Sequence, residues 1–306
     1  MKIAILGAGA MGSLFGAKLS RLADVWLVDP WAAHVQAMQR EGLRVDELDG
    51  SSSLVRVQAT MDPATVGGGA DLAIVFVKSH HTGEAAGWAG PMLRPDGLAL
   101  TLQNGLGNLE RMAEALGPGR AVQGVTAQGA TLVAPGHVQH AGQGATHIAA
   151  QPALAGPLSE IAALFQRAGF ETHLSDSLDA LLWGKLVVNV GINALTAILR
   201  VRNGRLAEVE PTRELMMAAV DEAVRVVEAK GIRLPYDDPR ERVKAVAVAT
   251  GPNRSSMLSD VQRCVPTEID VINGAIVREG AKLGIPTPVN QTLVRLIQAI
   301  EATYET

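Results

Sequence analysis

An α/β domain built on a doubly wound parallel sheet, followed by an all-α domain, is the fold class this sequence predicts. Three observations predict it. Short β-branched apolar runs alternate with helical patterns through the N-terminal half, which implies parallel strands joined by right-handed crossovers. Beyond residue 175 no strand pattern remains, and helical patterns follow one another to the end. The 306 residues exceed the usual size of one hydrophobic core, so two domains are expected, 1–174 and 175–306.

KIAILG is an apolar run stopped by glycine, and AMGSLFGAKLSRLA behind it has helical spacing. DVWLVDP, DLAIVFVKS and LALTLQNG supply the second, third and fourth strands, with helices around AAHVQAMQREG and HTGEAAGWAGPML between them. From about residue 121 the chain becomes rich in Gly, Thr, Val and His without a helical period. That texture predicts antiparallel strands added to the sheet, with turns at APG and AGQG. LSEIAALFQRAGF is the last helix of this domain, ended by Gly169. In the second domain, helices are separated by breaks at RVRNG, KGIRLPYDDP, TGPNRSSM and GIPTP.

A composition of 47% hydrophobic and 19% charged residues is that of a soluble globular protein. The net charge of −4 gives no electrostatic reason to expect nucleic acid or an anionic membrane as a partner. The most apolar segment, LLWGKLVVNVGINAL, is interrupted by Lys185, Asn189 and Asn193, short of the roughly 18 uncharged apolar residues of a spanning helix, so no membrane segment is expected. A single cysteine, Cys264, rules out an intramolecular disulfide, fits a reducing compartment and is expected to be a small buried hydrophobe. The N-terminus begins with a strand pattern and shows no signal-peptide cleavage region, which predicts cytoplasmic residence.

Gly7-Ala8-Gly9-Ala10-Met11-Gly12 is G-x-G-x-x-G in the context that gives the string meaning: a strand before it, a helix after it, and an acidic residue, Asp29, at the end of the second strand. Glycine allows the tight turn, the approach of pyrophosphate to the backbone and close strand–helix packing, and the phosphates meet the N–H groups at the helix N-terminus. The N-terminal domain is thus a Rossmann-type dinucleotide-binding domain. A carboxylate at position 29 accepts hydrogen bonds from both adenosine ribose hydroxyls and repels a 2′-phosphate, and Pro30-Trp31 behind it supply no neutralising arginine. These residues favour NADH over NADPH.

Lys185, Asn189 and Asn193 fall within about 80° of one another on a helix and form a polar stripe. Two readings stand. In one, the ammonium stabilises the negative charge that builds on a carbonyl oxygen as it accepts hydride, and then passes on a proton. In the other, a snorkelling lysine accompanies two helix-packing asparagines. His80 and His81, with Lys78 as the last strand residue before them, follow the third strand at the end where ligands bind in open α/β sheets. His137 and His140, three apart in a strand, point to opposite faces, so no metal site is expected there or with His147.

The strings WGKLVVNVGINALTAI, LQNGLGN and SSMLSDVQRCVPTEIDVINGAIV resemble the ketopantoate reductase family, the 2-dehydropantoate 2-reductases, over nearly the whole chain. The resemblance implies nicotinamide-dependent reduction of 2-dehydropantoate to (R)-pantoate, in the route to pantothenate and coenzyme A, with NADPH as the usual cofactor. It implies that Lys185 is the general acid and that Glu268, in TEID, helps hold the lysine or substrate. By the same resemblance Asn104 of QNG lies near the nicotinamide, Asn189, Asn193 and Asn203 lie on the substrate side, and Ser256 binds the substrate carboxylate. Many members carry an arginine or lysine at the end of the second strand, where this chain has Asp29-Pro30.

Two other functions share parts of this pattern. β-Hydroxyacid dehydrogenases also join a dinucleotide domain to a helical domain bearing a lysine and an asparagine, and a non-catalytic dinucleotide sensor would need only the glycine motif. SSML…TEIDVING counts against the first, and Lys185, Asn189 and Glu268 together count against the second. The expected partner is a small 2-oxo acid. The apolar faces of ELMMAAVDEAVRVVEA suit a private core or a homodimer interface equally.

Overall fold

The computed structural model describes residues 1–117 and 119–304. They form two compact units, Met1–Gln103 with Gly107–Leu178, and Asn104–Leu106 with Asp179–Thr306. The division falls at Leu178/Asp179 rather than at 174/175, because a last strand runs to Ser175.

In the first unit, strands β1 (Lys2–Leu6) and β2 (Asp24–Val28) flank helix α1 (Ala10–Leu19), and α2 (Ala32–Glu41) follows. Three short strands, β3 (Leu43–Asp46), β4 (Ser52–Val55) and β5 (Gln58–Thr60), precede β6 (Ala70–Val75), α3 (Thr82–Met92), β7 (Leu93–Thr101) and α4 (Asn108–Leu116). The unit ends with β8 (Ala121–Thr126), β9 (Gly129–Ala134), β10 (His137–Gly142), β11 (Thr146–Ala149), α5 (Ala155–Arg167) and β12 (Thr172–Ser175).

Eight strands make the main sheet in the order β12-β11-β8-β7-β6-β1-β2-β5. From β5 across to β8 every pairing is parallel. Successive residues of β1 serve opposite faces. Ile3 and Ile5 pack with Leu14 and Phe15 of α1, whereas Ala4 and Leu6 pack with Ala85 and Ala89 of α3. Covering both faces is what a parallel sheet requires. The chain order reverses about β1, with β2 on one side and β6 on the other, and this switch point lies beside the glycine loop.

The region after residue 121 departs from expectation. Only β11 joins the main sheet antiparallel, on β8; β8 itself pairs parallel with β7, and β12 pairs parallel with β11. The β9–β10 hairpin leaves that sheet altogether and makes a second one, β4-β3-β10-β9, in which β10 runs parallel to β3. The cause is the polar segment after α2, which supplies β3 and β4 as partners, so that Leu43, Val45 and Val138 join the α1 side of the core. The turn at Pro135-Gly136 occurs as expected, with Gly136 at φ +70°. All four phenylalanines of the chain gather in this core: Phe15 stacks on Phe170 at 4.0 Å and meets Phe76 and Phe165 at 5.1 and 5.5 Å. These contacts tie α5 and the start of β12 to α1.

The second unit is helical: α6 (Asp179–Leu199), α7 (Asn203–Glu208), α8 (Glu210–Ala229), α9 (Pro239–Ala249), α10 (Ser256–Gln262), α11 (Asn273–Leu283) and α12 (Pro288–Ala302). By length and composition α6 could cross a membrane, but 67% of its apolar window is buried inside the protein, as in a core helix. Gly184 and Gly191 explain its close packing: a Cβ on Gly184 would lie 2.8 Å from Pro235 Cδ, and one on Gly191 would lie 2.8 Å from Val243 Cγ1 and 2.9 Å from Val220 Cγ2. This glycine face lies roughly 150° round the helix from the centre of the Lys185 stripe.

The apolar stripe of α8 serves a private core, with Met216, Val220, Ala223 and Val227 buried against α6 and its neighbours. Buried Glu222 of α8 accepts the Val289 and Asn290 N–H groups, both at 2.9 Å, and so caps the start of α12. Cys264 is exposed, contrary to expectation, because α10 has ended at Gln262 and Cys264 takes a left-handed φ of +52° in the turn that follows.

Candidate functional site

In the first unit the glycine loop joins β1 to α1. Gly7 has φ +94°, and a Cβ there would lie 2.6 Å from the Val77 nitrogen. A Cβ on Gly12 would lie 1.9 Å from the Gly7 carbonyl oxygen. The protein's own packing therefore demands both glycines. Gly9 differs: its φ is −58°, and a Cβ would meet nothing within 4 Å. Gly9 is also the N-cap of α1, where no side chain caps the helix and no acidic residue lies in the first turn. The N–H groups of that turn, at Ala10 and Met11, are thus available to an outside anion above an uncovered stretch of backbone. Ala8, between Gly7 and Gly9, is fully buried. These features fit the pyrophosphate of a dinucleotide.

Asp29 follows β2. Its Oδ1 accepts the Trp31 N–H at 2.9 Å, and its own N–H donates to the Thr60 carbonyl at 3.1 Å, so the half-buried carboxylate is held at the turn. Trp31 beside it is 44% exposed. Lys78 is not the last strand residue. The strand β6 ends at Val75, and Lys78 lies beyond it at the entry to the short 3₁₀ turn Ser79–His81. Exposed His80 and His81 bring their ring centroids to 4.3 Å at a tilt of 58°, and His81 pairs with Glu84 at 3.3 Å. The three histidines weighed for a metal go to separate partners, His137 to Asp46 at 2.6 Å, His140 to Glu47 at 3.2 Å and His147 to Ser175 at 3.0 Å.

In the second unit the stripe lies on α6 as the helical period requires. Lys185 and Asn189 are partly buried, and Asn193 is 6% exposed. Glu268 is 7% exposed, in the loop that leads into the 3₁₀ turn Ile269–Val271. Burial pushes the Lys185 ammonium down to about 8 from its ordinary 10.5, and the nearby Glu268 carboxylate works in the opposite direction, favouring the charged form. The Glu268 loop is anchored to α12, where Glu301 accepts the Thr267 N–H at 2.7 Å. It also receives the segment that carries Asn104: the Leu106 N–H donates to the Val271 carbonyl at 3.1 Å, and Gly105 lies so close that a Cβ would come within 2.4 Å of that oxygen.

Thr196 extends the stripe and was not anticipated. Counted at about 100° per residue it lies between Lys185 and Asn189 in angle. Its buried Oγ1 donates to Ser255 Oγ at 2.7 Å. Ser255 in turn accepts the Leu258 N–H and caps α10, which leaves Ser256 as the exposed first residue of that helix. A hydroxyl four turns along an apolar helix carries no sequence signal of such a tie. Asn203 begins α7. Its Nδ2 donates to Thr250 Oγ1 at 2.9 Å, while its Oδ1 is buried without a hydrogen-bond partner. Tyr236 donates to the Gly184 carbonyl at 2.9 Å, one residue before Lys185, and burial raises its phenol to about 12.

Comparison with known proteins covers both units. The family model described as ketopantoate reductase PanE/ApbA matches residues 3–153, and its C-terminal counterpart matches 177–301. A 2-dehydropantoate 2-reductase of Halobacterium salinarum is 38% identical over 301 residues, covering 97% of this chain and 98% of that one. The crystal structure of a PanE/ApbA family ketopantoate reductase from Ralstonia eutropha JMP134 is similar with a TM-score of 0.90 and 36% identity, covering 99% of each chain. A D-mandelate dehydrogenase solved with NADH and anilino(oxo)acetate also has a TM-score of 0.90, at 29% identity and 99% coverage of each chain.

Proposed function

Since the chain belongs to the ketopantoate reductase family and is an oxidoreductase of the 2-dehydropantoate 2-reductase type, we propose that it reduces the 2-oxo group of 2-dehydropantoate, or of a related 2-oxo acid, to the (R)-2-hydroxy acid. The observation that carries this reading is Lys185, a partly buried lysine on a polar stripe whose proton affinity desolvation has brought down to about 8, near the buried Glu268 carboxylate. A proton donor works best when its pKa is near the working pH.

When bound, the nicotinamide supplies hydride; residues 7–12, Asp29, Lys78 and Asn104 are the ones proposed to hold the dinucleotide. The Lys185 ammonium lies against the substrate carbonyl oxygen, stabilises the charge that grows there and gives up its proton to form the hydroxyl, and the neutral amine regains a proton from solvent. Glu268 keeps the ammonium charged before the step. Ser256 donates to the substrate carboxylate, and Asn189, Asn193 and Asn203 supply neutral hydrogen-bonding groups on the substrate side, without a competing cation. In this reading the enzyme acts in the cytoplasm on a small-molecule substrate.

The carboxylate of Asp29 supports NADH, and the D-mandelate dehydrogenase solved with NADH lends the same preference weight. Asp29→Ala is expected to raise the Kd for NADH by about 5- to 10-fold through loss of the ribose hydrogen bonds, and to leave NADPH unchanged or tighter, as read by calorimetric titration of each. Equal effects on the two cofactors would overturn the preference.

Steady-state oxidation of NADH and NADPH with 2-dehydropantoate, and with benzoylformate as an aromatic 2-oxo acid, tests the function itself. Turnover of either acid supports the reading. Failure with both acids and both cofactors would refute it.

A further inference from the structure

His34, on α2, is fully buried and has no part in the chemistry above. Its Nδ1 accepts the Gly136 N–H at 2.8 Å, from the turn between β9 and β10. A ring whose Nδ1 accepts in this way carries its proton on Nε2. Nε2 lies 2.9 Å from the Ala8 carbonyl oxygen and 3.1 Å from Ser13 Oγ. The Ser13 hydroxyl donates to the same Ala8 carbonyl at 2.6 Å. The carbonyl in the middle of the glycine loop is therefore turned into the protein and receives two buried donors. The Ala8–Gly9 peptide is trans, so the Gly9 N–H points opposite to that carbonyl, away from the buried pair, at a residue that is itself exposed.

We propose that His34 is a positioning residue for dinucleotide binding: with Ser13 it locks the Ala8–Gly9 peptide so that the Gly9 N–H faces the pyrophosphate, and through Gly136 it braces that lock on the second sheet. The proposal rests on the dinucleotide-binding reading above. The residues around the ring agree with it. Trp31, next to Asp29, stacks on His34 at 5.4 Å and 20°, so one buried ring supports both the glycine loop and the turn at the end of β2. Burial also holds the His34 pKa below its ordinary value, against the opposing pull of Asp29, and the neutral ring is the form that can accept from Gly136.

Two substitutions separate the ring's two bonds. Asparagine places an acceptor where Nδ1 was, and glutamine places a donor where Nε2 was. His34→Asn keeps the Gly136 bond and loses the Ala8 bond; its Kd for NADH, measured by calorimetry, is expected to rise by about 10-fold or more. In turnover the KM for NADH rises with it, while kcat at saturating NADH stays within about threefold. His34→Gln keeps a donor to Ala8, and its Kd is expected to stay within about threefold of wild type even if its melting temperature falls by the same amount as that of the asparagine variant. Ser13→Ala, which removes the second donor with little change of volume, is expected to weaken NADH like His34→Asn, and it carries the comparison with His34→Gln if the asparagine variant does not fold.

Equal Kd changes in His34→Asn and His34→Gln, or no change in His34→Asn and Ser13→Ala, would overturn the lock. Absence of NADH and NADPH binding by the wild-type protein in the same titrations would instead overturn the dinucleotide reading beneath it.

Discussion

Lys185→Ala is expected to lower kcat for 2-oxo acid reduction by at least about 10²-fold while the Kd for NADH stays within about threefold. Lys185 stands on the stripe that α6 shares with Asn189, Asn193 and Thr196, turned away from the glycine face that packs on Pro235 and Val243. A lysine needed only for packing would keep its ordinary proton affinity, yet at this partly buried position desolvation brings the ammonium down to about 8. Lys185→Met makes the same point through stability. The folded-state pKa of about 8 lies below the ordinary 10.5, so below pH 8 the lysine is charged in both states and burial of that charge opposes folding in full. The penalty fades as pH rises from about 8 to 10.5, where the folded state gives up its proton first. Near neutral pH Lys185→Met should therefore be inactive and melt at a higher temperature than wild type. Loss of activity with a lower melting temperature would mark the lysine as structural.

The second large effect divides the glycine motif. Gly12→Ala is expected to cost at least about 3 kcal/mol of stability, because the added Cβ would sit 1.9 Å from the Gly7 backbone oxygen. Gly9→Ala is expected to fold with a loss of about 1 kcal/mol or less, since its φ of −58° suits any residue and its Cβ meets nothing. It should nonetheless raise the KM for the cofactor by about 10-fold or more with kcat at saturation kept, because the methyl occupies space that only a ligand uses. Thermal melting and cofactor titration of the two variants check the division. Normal cofactor binding by Gly9→Ala would remove the structural argument for a dinucleotide at this loop.

What could be foreseen follows from the range of each interaction. The β1–loop–α1–β2 unit and the α6 stripe were legible because glycine spacing and helical period are local signals. The strands β3, β4 and β5 and helix α4 were not foreseen. LRVDELDGSSSLVRVQAT is short and polar, and β3 takes its place by pairing with β10 far along the chain, as the His137–Asp46 contact 91 residues apart shows. Pairing at that distance leaves no periodicity to detect. The same holds for side chains. A glutamate in TEID reads as a surface residue until Glu301 and the Val271 turn are seen to fold its loop inward. His34 is one histidine on an amphipathic helix, and its meaning comes from Ala8, Ser13 and Gly136, which reach it from three other segments. Ser255 and Ser256 are neighbours of the same type, and only the helix geometry makes the first a buried cap and the second an exposed residue.

The central claim is that Lys185 delivers the proton and Glu268 keeps it there. The pH dependence of kcat/KM for the 2-oxo acid at saturating cofactor, in wild type and Glu268→Gln, tests it directly. Reduction needs the ammonium form, so the rate should be level below about pH 8 and fall about tenfold per unit above it. Removal of the Glu268 charge withdraws the effect that raises the lysine pKa, so the descending limb should move to lower pH in the variant. A rate that stays level to pH 10, or a limb that does not move in Glu268→Gln, would contradict the account.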